Sequence, residues 1–331
     1  MLFCGNRVKV LKGKNLPLAL IIAMLVWFIW WLSLGYDQGV GLLKENIEVV
    51  LTMILGSFVA GSTSVGGGAV AFPVFTKILS IDSQTALIFS LAIQSVGMTA
   101  ASIVFFYSRT PLCFRVIAYG CFFGSCGLLI SLFGLRHWIV GAEIKYIFSC
   151  FSLFVALALS WDRWVKRSLV KSFEQLPSIP LLVIGSFLGG LLSGIIGVGI
   201  DFIVFSLMVF VWHYDFKKAT ATSVVVMASN ALVGFVALLI FSDYFTEAVK
   251  SYWLSAVPIV VLGAPLGALA CKYLPKTVLF YFLLVLVLFD VASTIFILGF
   301  KWEFFVFVIV SFLAFILIKV QQEKNQTSTN C

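Results

Sequence analysis

Charge is what this sequence lacks most. Of its 331 residues only 11% are charged, against 62% hydrophobic, with a mean hydropathy of +1.12. That is more apolar surface than a water-facing exterior hides, and it excludes a soluble domain anywhere in the chain. Histidine is nearly absent: His137 and His213, both at the edges of apolar runs, leave little for a metal site, so none is expected. The seven cysteines form no Cys-x-x-Cys pair and mostly fall inside apolar runs, where they read as small core residues. There is no Gly-x-Ser-x-Gly and no His-x-x-x-His. An intramembrane enzyme therefore has neither a nucleophile with its base nor a metal cluster, and no catalytic residue or cofactor is expected. The net charge of +8 sits in short basic clusters between apolar runs, a topology signal and not a nucleic-acid patch.

What the chain has in abundance is apolar runs of about 20 residues, laid almost end to end from Pro17 to Ile318. The fold class is all-α, a polytopic membrane protein. Full spans are expected at 17–34, 84–107, 115–134, 143–160, 217–240, 252–270, 277–299 and 303–319. A short polar loop with Asp37, Lys44, Glu45 and Glu48 follows the first. Arg7, Lys9, Lys12 and Lys14, followed by a run ending in Trp27, Trp30 and Trp31 without a small-x-small cleavage site, read as a retained anchor.

Two other runs, 49–79 and 181–212, are too long for one span and are broken at Gly66-Gly67-Gly68 and at Gly197-Val198-Gly199. They are copies of each other. A shift of 133 residues, without a gap, lays Gly56 on Gly189, Gly61 on Gly194, Phe72 on Phe205, Asp82 on Asp215, Ala86 on Ala219 and Ser90 on Ser223. The division is a basic tail and first span (1–46), a first repeat (47–160), a linker (161–180), a second repeat (181–300), and a last span with a polar tail (301–331). If each broken run is a re-entrant hairpin, sixteen of the 22 Lys and Arg fall on the inner side. Lys44, Lys77, Arg136, Lys145, Lys250 and Lys301 then fall outside. If each crosses once the bias weakens, so hairpins are favoured. Each repeat then makes three further crossings, the second is inverted, and both termini are cytoplasmic.

Broken backbone at mid-membrane is tolerated only against protein or a water-filled cavity. Two half-helices starting near Ala69 and Asp201 would aim free N–H groups at the breaks, an anion site needing no basic side chain. Candidate substrate-binding residues are Ser62, Thr63, Ser64, Gly66, Gly67 and Gly68 at the first break and Ser193, Gly197 and Gly199 at the second. Gln94, Thr222, Ser223 and Asn230 join them from the following spans, as does Ser90. The plainer reading is that the four-residue repeats of small residues pack helices, and that Ser and Thr bond back to their own turn. Asp201 and Asp290 are acids inside apolar runs, costing ~2.5–3.5 kcal/mol each on insertion scales, and are candidates for the coupling ion. For Asp201 the alternative is an N-cap. Asp82 and Asp215 read as helix caps.

Gly61 through Gly68 with Pro73, the polar span Ala86 to Ala101, and Ser193-Gly194-Ile195-Ile196-Gly197-Val198-Gly199-Ile200-Asp201 with Thr222-Ser223 resemble the sulfite exporter TauE/SafE family of membrane transporters. The likeness spans about residues 47–320. It implies a permease for small sulfur-containing or organic anions in the bacterial cytoplasmic membrane, driven by a proton or other ion gradient. Its partners are a small anion and the bilayer, not nucleic acid. The departure is Asp201 in place of a third glycine and Ser206 in the slot of Pro73. An alternating-access carrier is the leading expectation. An anion channel built from the same hairpins is the alternative.

Overall fold

The computed structural model describes residues 15–63, 67–135, 141–165, 174–241, 244–304, 306, 308–310 and 312–313. Among these every regular element is a helix: α1 (Asn15–Leu34), α2 (Tyr36–Glu45), α3 (Ile47–Ser62), α4 (Gly68–Pro73), α5 (Ser83–Tyr107), α6 (Phe114–Ile130), α7 (Gly141–Val165), α8 (Ile179–Ile196), α9 (Ile200–Ser206), α10 (Phe216–Phe241), α11 (Glu247–Tyr273) and α12 (Lys276–Leu298). Six are long and apolar enough to cross a bilayer: α5, α6 with its extension to Leu135, α8, α10, α11 and α12. The chain is thus a multi-pass α-helical membrane protein.

The tally of spans differs from the eight expected. The first is a pair, α1 and α2, bent by 103° at Gly35, and the apolar part of α7 is shorter than a full span. Most of 303–319 lies outside the described residues. Residues 36–45 form a helix, not a loop. Gly39 of that helix tucks under the Trp30 ring, and Asn46 at its end donates to Ser251 and Ser255 of α11.

The 133-residue offset recurs in the helices. Residues α3 to α7 return as α8 to α12, and both short arms run into a π turn, at Val74–Ile78 and Leu207–Val211. There the N–H of Leu79 reaches Val74, and that of Trp212 reaches Leu207. Ser80 and His213 then both take a left-handed backbone, φ 55° and 56°. Asp82 caps α5 by accepting from the N–H of Gln84 and Thr85, and Asp215 accepts from Lys217 at the matching place.

Both broken runs double back. At 1.5 Å per residue a straight helix would part Gly185 from Leu207 by roughly 33 Å. Instead a Cβ on Gly185 would strike the Leu207 side chain, and one on Gly189 would lie 2.8 Å from the Ile200 Cα. In the first copy a Cβ on Gly67 would lie 3.0 Å from the Gly56 carbonyl oxygen and 3.3 Å from the Ala60 Cβ. These are re-entrant hairpins, and the small residues at four-residue spacing let their arms touch.

The two copies interlock. Helix α3 of the first packs along α11 of the second, α8 of the second along α6 of the first, and α5 along α10. Lipid offers no hydrophobic drive between helices, so close approach has to supply the attraction. Glycine permits it. A Cβ on Gly61 would run into the Ala264 carbonyl, and one on Gly267 into that of Phe58. Where α8 meets α6, Gly127 abuts the Phe187 carbonyl and Gly190 that of Gly124. Helix α1 is pinned to α11 by a different device. Pro258 has no N–H for the Leu254 carbonyl one turn back, and the Trp30 indole donates to that carbonyl at 2.8 Å. Trp27 donates to the Pro258 carbonyl at 2.7 Å.

Gly190→Val should therefore prevent assembly, since its obstacle is backbone and cannot rotate away. Overpacking typically costs ~1–3 kcal/mol, and more when main chain is the obstacle. Gly41→Val, in open space on α2, should be tolerated. Yield and monodispersity of the two variants in detergent check both expectations.

Candidate functional site

The second break is held open by two glycines with backbone that other residues rarely adopt, Gly197 at φ 87° and Gly199 at φ 153°. The amides it exposes are not vacant. Asp201, fully buried, accepts through Oδ1 from the N–H of Gly199 and of Phe202, both at 3.1 Å, and its Oδ2 makes no hydrogen bond. The Ser193 hydroxyl accepts from the N–H of Ile200 at 2.9 Å. The N-cap position itself is Gly199, and Asp201 sits in the first turn of α9, where it satisfies first-turn amides without being the cap; Ser193 and Asp201 stand where an anion's oxygens would.

The first copy reaches into this break. Gln94 of α5, 3% exposed, donates through Nε2 to the Gly197 carbonyl at 2.9 Å and to the Ser90 hydroxyl at 2.6 Å; Ser90 itself lies 3.4 Å from the same carbonyl. Gln94 Oε1 is buried without a partner. Beside it is a small cavity of about 10 Å³, lined by Ser57, Gly67, Ser90, Gln94, Gly97 and Val260 among others. That is room for about one water. Gln94, Ser90, Gly67 and Gly197 are thus brought together from both copies.

The other expected ligand residues go elsewhere. Ser62 and Thr63 donate to the Val59 carbonyl of their own helix, as the plainer reading has it, and Ser223 does the same to Thr220. Thr222 accepts from the N–H of Cys113 at the start of α6. Asn230 ties α10 to α6, donating to the Gly120 and Val226 carbonyls and accepting from Ser125. The last two face α6 and not the cavity, because α10 presents that side to the neighbouring repeat. Ser64 and Gly66 lie outside the described residues, and Gly68 opens α4.

Asp290 has a partner that sequence reasoning missed. Lys77, counted on the outer side within the run 49–79, is 6% exposed and its ammonium lies 2.7 Å from the Asp290 carboxylate. It also donates to the Asp290 carbonyl and to Ser293 and Thr294. Removing one partner of such a pair costs about 3–5 kcal/mol, because the other charge is stranded. The signal was in the sequence only as a lysine two residues before the end of an apolar run.

Interlocked repeats, each carrying a hairpin broken at its inner end, are an architecture of membrane transport proteins. A family model described as "Sulfite exporter TauE/SafE" matches residues 49–294. The chain belongs to that family and is a membrane transporter. Searches of curated proteins and of solved structures gave no match.

One ion pair at the membrane edge sets a pH dependence. Burial pushes the Asp215 carboxyl up, but the Lys276 ammonium and the N–H of Lys217 outweigh it and hold the group below the usual carboxylate range. A depressed pKa stabilises the fold above the unfolded value of about 3.9. The contribution disappears as pH falls through the lower, folded value. Asp215→Asn should accordingly melt lower than the parent at neutral pH, with the gap closing under acid conditions; thermal unfolding followed against pH reads this directly.

Proposed function

We propose that the chain is a secondary carrier of small anions, coupled to a proton or other ion, that works by alternating access about the junction of the two hairpins. The ligand class is sulfite, sulfonates and other sulfur-containing or organic anions, and the setting is the cytoplasmic membrane with both termini in the cytoplasm. The observation that carries this is the Gln94 side chain of one repeat seated on the Gly197 carbonyl of the other's break. A group that bridges two mobile units at a point of broken backbone is placed to sense and hold a ligand between them.

The chemistry fits a neutral anion site. Gln94, Ser90 and Ser57 offer donors without a fixed positive charge, so the site pays no desolvation cost for a cation when empty. The cavity has room for about one water, and less than an anion needs. A carrier in a contracted state has that form, whereas an open pore does not. Binding requires Gln94 to leave Gly197 and Asp201 to share the amides it satisfies.

Family membership supports transport across a membrane, and the matched segment contains both breaks. Asp201 is proposed as one of two acids that couple an ion to the cycle, with Asp290 the other. Asp201→Asn keeps an oxygen for Gly199 and Phe202, so the fold should survive while the pH profile of flux flattens. A profile identical to the parent's would return Asp201 to satisfying those amides alone.

The decisive measurement is flux of sulfite, sulfonates, sulfate and small carboxylates across proteoliposomes, with and without a pH gradient. Saturable flux that accelerates with substrate on the far side is expected. Single-channel currents would overturn the carrier. Gln94→Leu, which fills the same space without donors, should slow flux about tenfold or more, the effect of losing one buried hydrogen bond of roughly 1.4 kcal/mol or above. Gly67→Leu should abolish it with insertion intact. Parental flux in both variants would remove the site from this junction.

A further inference from the structure

The first hairpin and α12 meet over a mostly apolar seam. Val59, Val70 and Leu286 form its buried part, with Val74 and Phe282 packed alongside. At one end of that seam sits the buried pair of Lys77 and Asp290. Ser293 and Thr294 complete the shell of the ammonium, and Ser149 of α7 bonds Thr294. The shell is a small polar island closed on all sides by apolar helix faces.

The second copy has no such island. The 133-residue offset lays Lys77 on Phe210 and Asp290 on Leu157, and the second hairpin instead meets α7 through the rings of Phe202 and Phe151. Two hairpins that otherwise repeat element for element are thus fastened differently, one by charge and one by apolar contact. A charge pair that merely glued helices would gain little over an apolar one, since burying two ions consumes most of their attraction. What charges add is a response to protons.

We infer that Lys77 and Asp290 form an obligatory part of the transporter's coupling site, a clasp that opens when Asp290 exchanges the Lys77 ammonium for a proton from solution. This rests on the carrier reading above. As the hairpin arm leaves α12, Lys77 keeps its own proton and carries its charge to water. Asp290 takes one proton and stays behind neutral, as a carboxyl on a membrane-spanning helix requires. When the proton leaves, the carboxylate recaptures the ammonium and the hairpin closes. Lys77 is the only titratable residue of the arm 68–79. Of the described titratable groups on α7, the helix packed against Asp290, Cys150 stands in its field, Tyr146 donates its hydroxyl to the Leu298 and Gly299 carbonyls, and Glu143 is exposed. None of these bonds the carboxylate, so among the described groups the pair answers to Asp290.

The test compares the parent with Lys77→Met/Asp290→Leu, which removes both charges and strands neither. In proteoliposomes with the membrane potential clamped at zero, a gradient of one pH unit sustains about tenfold accumulation of a monovalent anion if one proton moves with it, because one pH unit is a tenfold ratio of protons. With sulfite as the probe at a pH where the monoanion prevails, the parent should approach that figure. The double variant should exchange sulfite between equal compartments yet accumulate it no more than onefold. Hydrogen–deuterium exchange of segment 74–81, corrected for the intrinsic effect of pH, supplies a readout that needs no substrate. It should rise several-fold on acidification in the parent and stay flat in the double variant. Gradient-driven accumulation in the double variant, or acid-dependent opening of 74–81 that survives the substitutions, would overturn the clasp. If the parent moves none of the anions while 74–81 still opens with acid through the pair, the clasp stands and the anion-carrier reading falls.

Discussion

Close contact between main chains is the constraint from which the rest of this structure follows. In a bilayer, association of helices depends on how nearly their backbones approach, and here Gly61, Gly267, Gly127 and Gly190 bring carbonyls of facing helices to the surface of one another. These contacts run between copies: α3 with α11, α6 with α8. Each hairpin also touches the next span of its own repeat, α4 along α5 and α9 along α10. Each hairpin is braced by a helix of the other repeat, and the breaks have to meet near the shared interior because their supports cross there.

Given that scaffold, the chemistry is placed by departures from the repeat. Ser90 and Ser223 correspond, but Gln94 corresponds to Met227, so only one repeat can reach across to the opposite break with a donor. Gly68 corresponds to Asp201, so only one break carries its own acceptor for exposed amides. Duplication supplied a symmetric frame, and three or four substitutions gave its two ends different work.

Much of this was legible from the sequence because it is written in local, periodic terms. The repeat, the two breaks, the caps at Asp82 and Asp215 and the re-entrant hairpins all follow from spacing, glycine content and charge bias within one segment. Other features depend on which faces meet. Lys77 and Asp290 are 213 residues apart, and no periodicity links a lysine in one hairpin to an acid in the last helix of the other repeat. Thr222 and Asn230 were expected beside the break because their span follows it. The structure turns them toward α6, where Thr222 satisfies the N–H of Cys113 and Asn230 fills the space against Gly124. The helix at 36–45 was masked by its charges, which suggested a loop, while Trp30 covers its glycine face.

The way the break satisfies its own backbone also bears on how a ligand is held. Amides and carbonyls freed at mid-membrane cannot be left bare, since each would cost several kcal/mol in hydrocarbon. The chain therefore supplies internal substitutes: a carboxylate for two N–H groups, a serine hydroxyl for a third, and a glutamine amide for the Gly197 carbonyl. A ligand entering such a site replaces one set of hydrogen bonds with another, and only the difference appears as affinity. In the carrier proposed above, binding of that kind would be modest and readily reversed. Without any ligand the same substitutes satisfy broken backbone that lipid cannot.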